Sequence, residues 1–187
     1  QNLFRYNLGN TYYTLEDLNQ ATINFESCLE FAEKANDTSS IIYSLSALGN
    51  ISIDRNELDR ASQQLSKSYE LALITDDTYM IGFLATSIAN VNIKLKKFKE
   101  AQELIDKGYK YAEINKSKEE RISTDISQAI LYSETDKIDK AIALLNHSLK
   151  EASKISSAEN IRYSIESLGE VYEKKGDFEK ALHFHEK

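Results

Sequence analysis

Three histidines and one cysteine make up most of the reactive chemistry of this chain, and their spacing argues against using it. His183 and His185 stand two apart, so on a helix they point to different sides, and "HFHE" reads as surface sequence and not as a metal site. His147 stands alone. Cys28 shares a 40-residue column with Ser68, Gly108 and Ser148, all small, which places it in close packing and not in nucleophilic catalysis. No phosphate loop, HExxH or nucleophile elbow occurs, so the expectation is a non-catalytic protein with no metal and no cofactor. The chemistry that does recur is an amide. Asn10, Asn50 and Asn90 each follow a small residue, in "LGNTYY" (8–13), "LGNISI" (48–53) and "IANVNI" (88–93). A carboxamide has one acceptor and two donors, so it can hydrogen-bond a peptide amide on both sides without reading a side chain.

The elements that carry these residues must repeat as they do. At a shift of 40, Ala21, Ala61, Ala101, Ala141 and Ala181 fall in one column, and Gly9, Gly49, Ala89, Ala129 and Gly169 in another. Leu18, Leu58, Phe98, Ile138 and Phe178 form a third. Small residues recurring among large apolar ones mark places where two helices approach closely, because a larger side chain would force them apart. Leu8, Leu48, Ile88 and Leu168 precede the small column, and Tyr12, Tyr132 and Tyr172 follow it by three, which outlines the packed face of a first helix. A second helix begins at the Leu/Phe column. Asp37, Asp77, Ser117 and Ser157 supply N-caps, Ser117 and Glu120 have capping-box spacing, and "TLED", "DRNE", "LKK", "ETDK" and "KKGD" are short, polar turns.

A hairpin of two amphipathic helices cannot bury both apolar faces alone, so the hairpins must stack. The expected fold is all-α: one right-handed α-solenoid of about five helix-turn-helix repeats, at 1–36, 37–76, 77–116, 117–156 and 157–187, the last truncated. Composition agrees, with 6 Gly, no Pro and no Trp among 187 residues, which suits long helices and short loops better than strand edges. The formal charge of -7 makes nucleic acid and anionic membrane poor partners. No apolar run approaches the ~18 residues of a membrane span. A lone cysteine rules out an intrachain disulfide framework and leaves the compartment open, the cytoplasm being preferred to the periplasm. The chain starts at Gln1 and stops within the amphipathic "ALHFHEK", which reads as a piece of a longer protein.

Leu8-Gly9-x2-Tyr12 followed by Ala21-x3-Phe25, and Leu168-Gly169-x2-Tyr172 followed by "KKGDFEKA", resemble the tetratricopeptide repeat. The likeness extends over nearly the whole chain, with departures: Arg5, Leu45, Ala85, Asp125 and Ile165 occupy the tryptophan position, and Gln128 and Ala129 replace the Leu-Gly pair of the fourth unit. The 40-residue period is similar to kinesin light chains, Pins-type adaptors and bacterial Rap and PlcR-type receptors. The resemblance implies that the first helices line a concave groove and that the Asn row points into it. Spacing around that row then gives the expected groove residues: Tyr6, Asn10, Tyr13, Tyr43, Asn50, Phe83 and Asn90, with Ile126 and Ile130 where the row gives way to isoleucine. The implied function is a protein- or peptide-binding module, the sensory or scaffolding part of a bacterial regulator. The second reading is a structural spacer, self-associating or binding partners through exposed end faces.

Overall fold

A computed structural model describes residues 2–186, which form ten helices and no strand. The chain is organised as two compact units, residues 1–91 and 92–187, and the division falls in the last turn of the fifth helix.

The first unit contains α1 (Asn2–Thr14), α2 (Leu18–Ala35), α3 (Thr38–Asp54), α4 (Leu58–Ile74) and most of α5 (Thr78–Lys94). Successive helices from α1 to α4 pack on one another. Their core includes Ala21, Phe25, Leu48 and Ile51, with Tyr6, Tyr12, Tyr13 and Ala47 packed around it. The small column does what its residue type requires. A Cβ on Gly49 would sit 2.6 Å from Leu65 Cγ and Cδ2, and one on Gly9 2.7 Å from Phe25 Cε1. Absence of a side chain is what lets these helices close on their partners.

The second unit contains α6 (Phe98–Ile114), α7 (Lys118–Glu134), α8 (Ile138–Lys154), α9 (Ala158–Lys175) and α10 (Phe178–His185). Neighbouring helices pack in order, and α7 also meets α9, so first helices lie side by side. Ile122, Ile126, Ala129, Leu145, Leu168 and Val171 fill the core. All five alanines of the repeating column are buried, none more than 2% exposed.

The ends of the helices follow from local chemistry. Asp37, Asp77 and Ser117 accept hydrogen bonds from the N–H groups of Ser40, Met80 and Glu120, as N-caps should. Ser117 and Glu120 complete only half of a capping box, because the Glu120 carboxylate accepts from Asn115 Nδ2 instead. Ser157 stands at the cap position but its Oγ donates to Glu119 Oε1, so α9 starts without a side-chain cap. The turns use a left-handed residue at Glu16, Asn36, Asn56, Asp76, Lys96, Lys116, Asp136, Ser156 and Gly176, and only the last is glycine. At Lys96 the N–H reaches the Ile93 carbonyl and the next N–H reaches Asn92, a pattern that satisfies the carbonyls at a helix end. Those bonds help offset the roughly 1–2 kcal/mol that a side chain costs in the left-handed region.

Candidate peptide-binding surface

On α3 the buried residues are Ile42, Ser44, Leu45, Ser46, Leu48, Gly49, Ile51 and Ser52. What they leave is a stripe at helical spacing: Tyr43, Ala47, Asn50 and Asp54, from half-buried to exposed. The same columns give exposed Leu3, Asn7, Asn10 and Thr14 on α1, and half-buried Phe83 and Asn90 on α5, with Ser87 buried between them. Tyr43, Asn50, Phe83 and Asn90, as well as Asn10, therefore lie on the side of each first helix that its own core leaves least covered.

An aromatic cluster links the first helices of this unit. The ring of Tyr6 lies 5.3 Å from that of Phe25 and 6.1 Å, edge-on, from that of Tyr43. Burial pushes the Tyr6 phenol above its ordinary pKa, the Asn10 side chain opposes this by hydrogen bonding, and the nearby Tyr43, Cys28 and Tyr79 add to the rise. Tyr43 is raised by partial burial and by the Asp77 carboxylate. Tyr13 donates its hydroxyl proton to Asp54 Oδ2 at 2.7 Å, so it links α1 to α3 as well as edging the surface. The Oδ1 of Asn90 is buried and has no hydrogen-bond donor. Such an atom costs free energy unless something donates to it.

Residues four before the Asn row behave differently. Ser46 and Thr86 are buried, and the Thr86 hydroxyl donates to the Gly82 carbonyl. Ile126, expected in the groove, is 5% exposed and belongs to the core of the second unit. Four residues turn a helix through about 400°, so this column is rotated some 40° from the Asn row and comes round onto the packing flank. Ile130, in the Asn column itself, is half-buried at the edge of that core. Ala47 and Asp54 complete the stripe that the expected set leaves unfinished, and their spacing from Asn50 is the signal that points to them.

The second unit presents a different surface. The matching columns hold Ser123, Ile130 and Glu134 on α7 and Tyr163, Glu170 and Lys174 on α9, with Ser127 and Ser167 between them buried. Charges here are mostly paired: Lys174 Nζ donates to the Ser133 carbonyl and to Glu134 Oε1, both at 3.0 Å, and Arg162 bridges Glu166 at 2.9 Å while lying 4.3 Å over the Tyr163 ring. A hollow of about 440 Å³ is lined by Ile161, Arg162, Ile165, Glu166, Phe184 and His185, among others. His185 Nε2 lies 3.0 Å from Glu173 Oε1, which engages one of the two histidines of the "HFHE" run.

Between α6 and α7 runs a polar seam that no sequence pattern announces. Tyr109 donates to Asp125 Oδ1 at 2.7 Å under the Arg121 guanidinium, and Gln102 and Gln128 exchange amide hydrogen bonds at 2.8 and 3.1 Å. The Tyr109 phenol is pushed strongly upward, first by burial and then by its bond to Asp125. Glu120 is 8% exposed, burial raises its pKa, and its Oε1 has no donor. These groups hold two helices together and face one another instead of a cleft. Among the described residues no three His, Cys, Asp or Glu side chains converge to hold a metal ion. No described helix is long and apolar enough to cross a membrane.

Family models for the tetratricopeptide repeat match residues 4–34 and residues 164–187. Among the curated proteins no sequence matches. Solved structures extend the likeness along the chain. The apo form of RapI is similar over 99% of this chain and 80% of its own, with a TM-score of 0.74 at 12% identity. BtubC (BKLC) from P. vanneervenii matches over 95% and 74%, with a TM-score of 0.66 at 16% identity. A putative kinesin light chain of P. anserina, with nearly identical TPR-like repeats, matches over 97% and 90%, with a TM-score of 0.63 at 16% identity. At these identities the structures speak for the fold, and the family models name the repeat at both ends: the chain is an all-α helical-repeat protein that matches the tetratricopeptide repeat over residues 4–34 and 164–187.

Proposed function

We propose that this chain is a non-catalytic module that binds a protein or peptide segment on the first-helix stripe of its first unit, through Asn10, Asn50 and Asn90 with Tyr43 and Phe83 around them. The observation that carries the reading is the shared column of Asn10, exposed, and Asn50 and Asn90, half-buried, on three first helices. A ligand backbone N–H would donate to carboxamide oxygens of this column, and the same ligand's carbonyls would accept from carboxamide N–H groups. The exposed ring of Tyr43 and the half-buried ring of Phe83 supply apolar contact beside them. A role as the sensory or scaffolding part of a bacterial regulator is the wider form of the reading, and it draws on resemblance alone.

Asn50→Ala together with Asn90→Ala is expected to weaken a bound peptide by about 1–3 kcal/mol. Titration calorimetry checks this, with the thermal midpoint as a control for folding; undiminished affinity removes the assignment. A second reading, self-association through end faces, has its own observations: Phe4 on α1 is 71% exposed and Leu182 on α10 is 59% exposed. Light scattering across a concentration series separates the two, because peptide binding needs no change of mass.

A further inference from the structure

Resting on the peptide-binding reading above, we infer that the segment taken by the first unit is uncharged along the stretch that meets α1, α3 and α5 up to Val91. Those helices carry two charged side chains, Arg5 and Asp54, and both are engaged within the unit. The Arg5 guanidinium lies 5.6 Å over the ring of Phe31 on α2, and Asp54 accepts from Tyr13. The remaining stripe is neutral: Asn10, Tyr43, Ala47, Asn50, Phe83 and Asn90.

Neutrality here is a feature of place and not of composition. In the same unit α2 carries Glu26, Glu30, Glu33 and Lys34, and α4 carries Asp59, Arg60, Lys67 and Glu70. The second unit puts charge on its first helices too, with Lys118, Glu119, Glu120, Arg121, Asp125 and Glu134 on α7. Only the first helices of unit 1 are kept almost free of it. A Lys, Arg, Asp or Glu laid on this neutral stretch, short of Asp54, would give up water and meet no opposite charge, and that desolvation is not returned. Backbone amides and Asn or Gln side chains find donors and acceptors there, and aliphatic or aromatic side chains find ring faces. A strongly basic ligand would be drawn instead to α2, with three Glu against one Lys, and an acidic one repelled by it, while α4 is balanced. The occupant that fits is a neutral segment, apolar and amide-rich.

The test uses the 187-residue chain and a display library of random dodecapeptides, retaining clones whose binding is lost on Asn50→Ala and on Asn10→Ala, with unchanged thermal midpoints as the folding control. The expected clones lack Asp, Glu, Lys and Arg at their central positions, and placing Lys or Glu there weakens binding by at least about tenfold. Their affinity changes less than about twofold as salt rises through several-fold, since no ion pair is being screened. Asn-dependent clones that carry central charges and weaken in salt would overturn the neutral-segment inference and leave peptide binding standing. A library that yields no Asn-dependent clone would overturn both.

Discussion

In unit 1 the uncovered stripe of α3 reads Tyr43, Ala47, Asn50, Asp54; in unit 2 the same columns of α7 read Ser123, Ser127, Ile130, Glu134. Behind these stripes the interiors differ in polarity. The buried face of α3 is largely apolar, with Ile42, Leu45, Leu48 and Ile51, whereas α7 buries Glu120, Asp125 and Gln128 in contact with α6 or the turn that follows it. One repeat design thus tolerates two allocations of polarity. Unit 1 sets its amides and rings on an open surface over an apolar core, and unit 2 turns its amides inward to join neighbouring helices. Asn10 bonds Tyr6 but stays exposed, whereas Gln102 and Gln128 are spent on each other, which makes the first unit the better candidate for recognition.

The largest expected effect lies in the small column. Gly49→Leu should destabilise the chain by about 1–3 kcal/mol through overpacking, because its neighbour Leu65 is fully buried and has nowhere to go. Gly169→Ala is the matching probe of unit 2. The atoms it meets belong to the ring of exposed His185, at 2.7 Å, and that ring can swing away. A fall in thermal midpoint for Gly49→Ala well beyond that for Gly169→Ala is expected; equal falls would break the contrast.

A middle-sized effect comes from the buried carboxylate. Burial raises the Glu120 pKa in the folded state, so between the unfolded and folded values the native protein holds the extra proton. Stability from this group is therefore greatest at the acid side of that window and declines as pH rises through the folded pKa. Glu120→Gln should stabilise the chain at neutral pH relative to the parent and lose that advantage in mild acid. Denaturant melts of both proteins at two pH values check the sign. A Gln variant that is less stable than the parent at neutral pH would show that the Asn115–Glu120 bond outweighs the burial cost.

Smallest are the turns. Lys116→Gly in unit 2 should stabilise by about 1 kcal/mol, since a Lys side chain has no local hydrogen bonding to favour a φ of 52°, whereas Asn36→Gly in unit 1, at 53°, should gain less because Asn tolerates the left-handed region. Paired thermal melts rank the two.

Much of this is legible in the 40-residue columns. The alanine column is buried throughout, the helices start where Asp37, Asp77, Ser117 and Ser157 predict, and Cys28, Ser68 and Ser148 are all buried as close packing demands. Periodicity gives the angle between residues of one helix but not which flank a neighbouring helix will cover. It therefore assigns Ile126 to the groove although that side chain enters the core. The seam of Gln102 with Gln128 is out of its reach for another reason: the partners lie 26 residues apart on different helices, and no single-helix pattern pairs them.

The central claim is that amides of the first unit, and not the second, receive the ligand. Nuclear magnetic resonance of the isotope-labelled chain, titrated with an uncharged library-selected peptide, tests it most directly. The account predicts that the side-chain NH2 signals of Asn10, Asn50 and Asn90 shift while those of Gln102 and Gln128 stay in place. Shifts confined to Gln102, Gln128 and the backbone of α7 and α9 would contradict it.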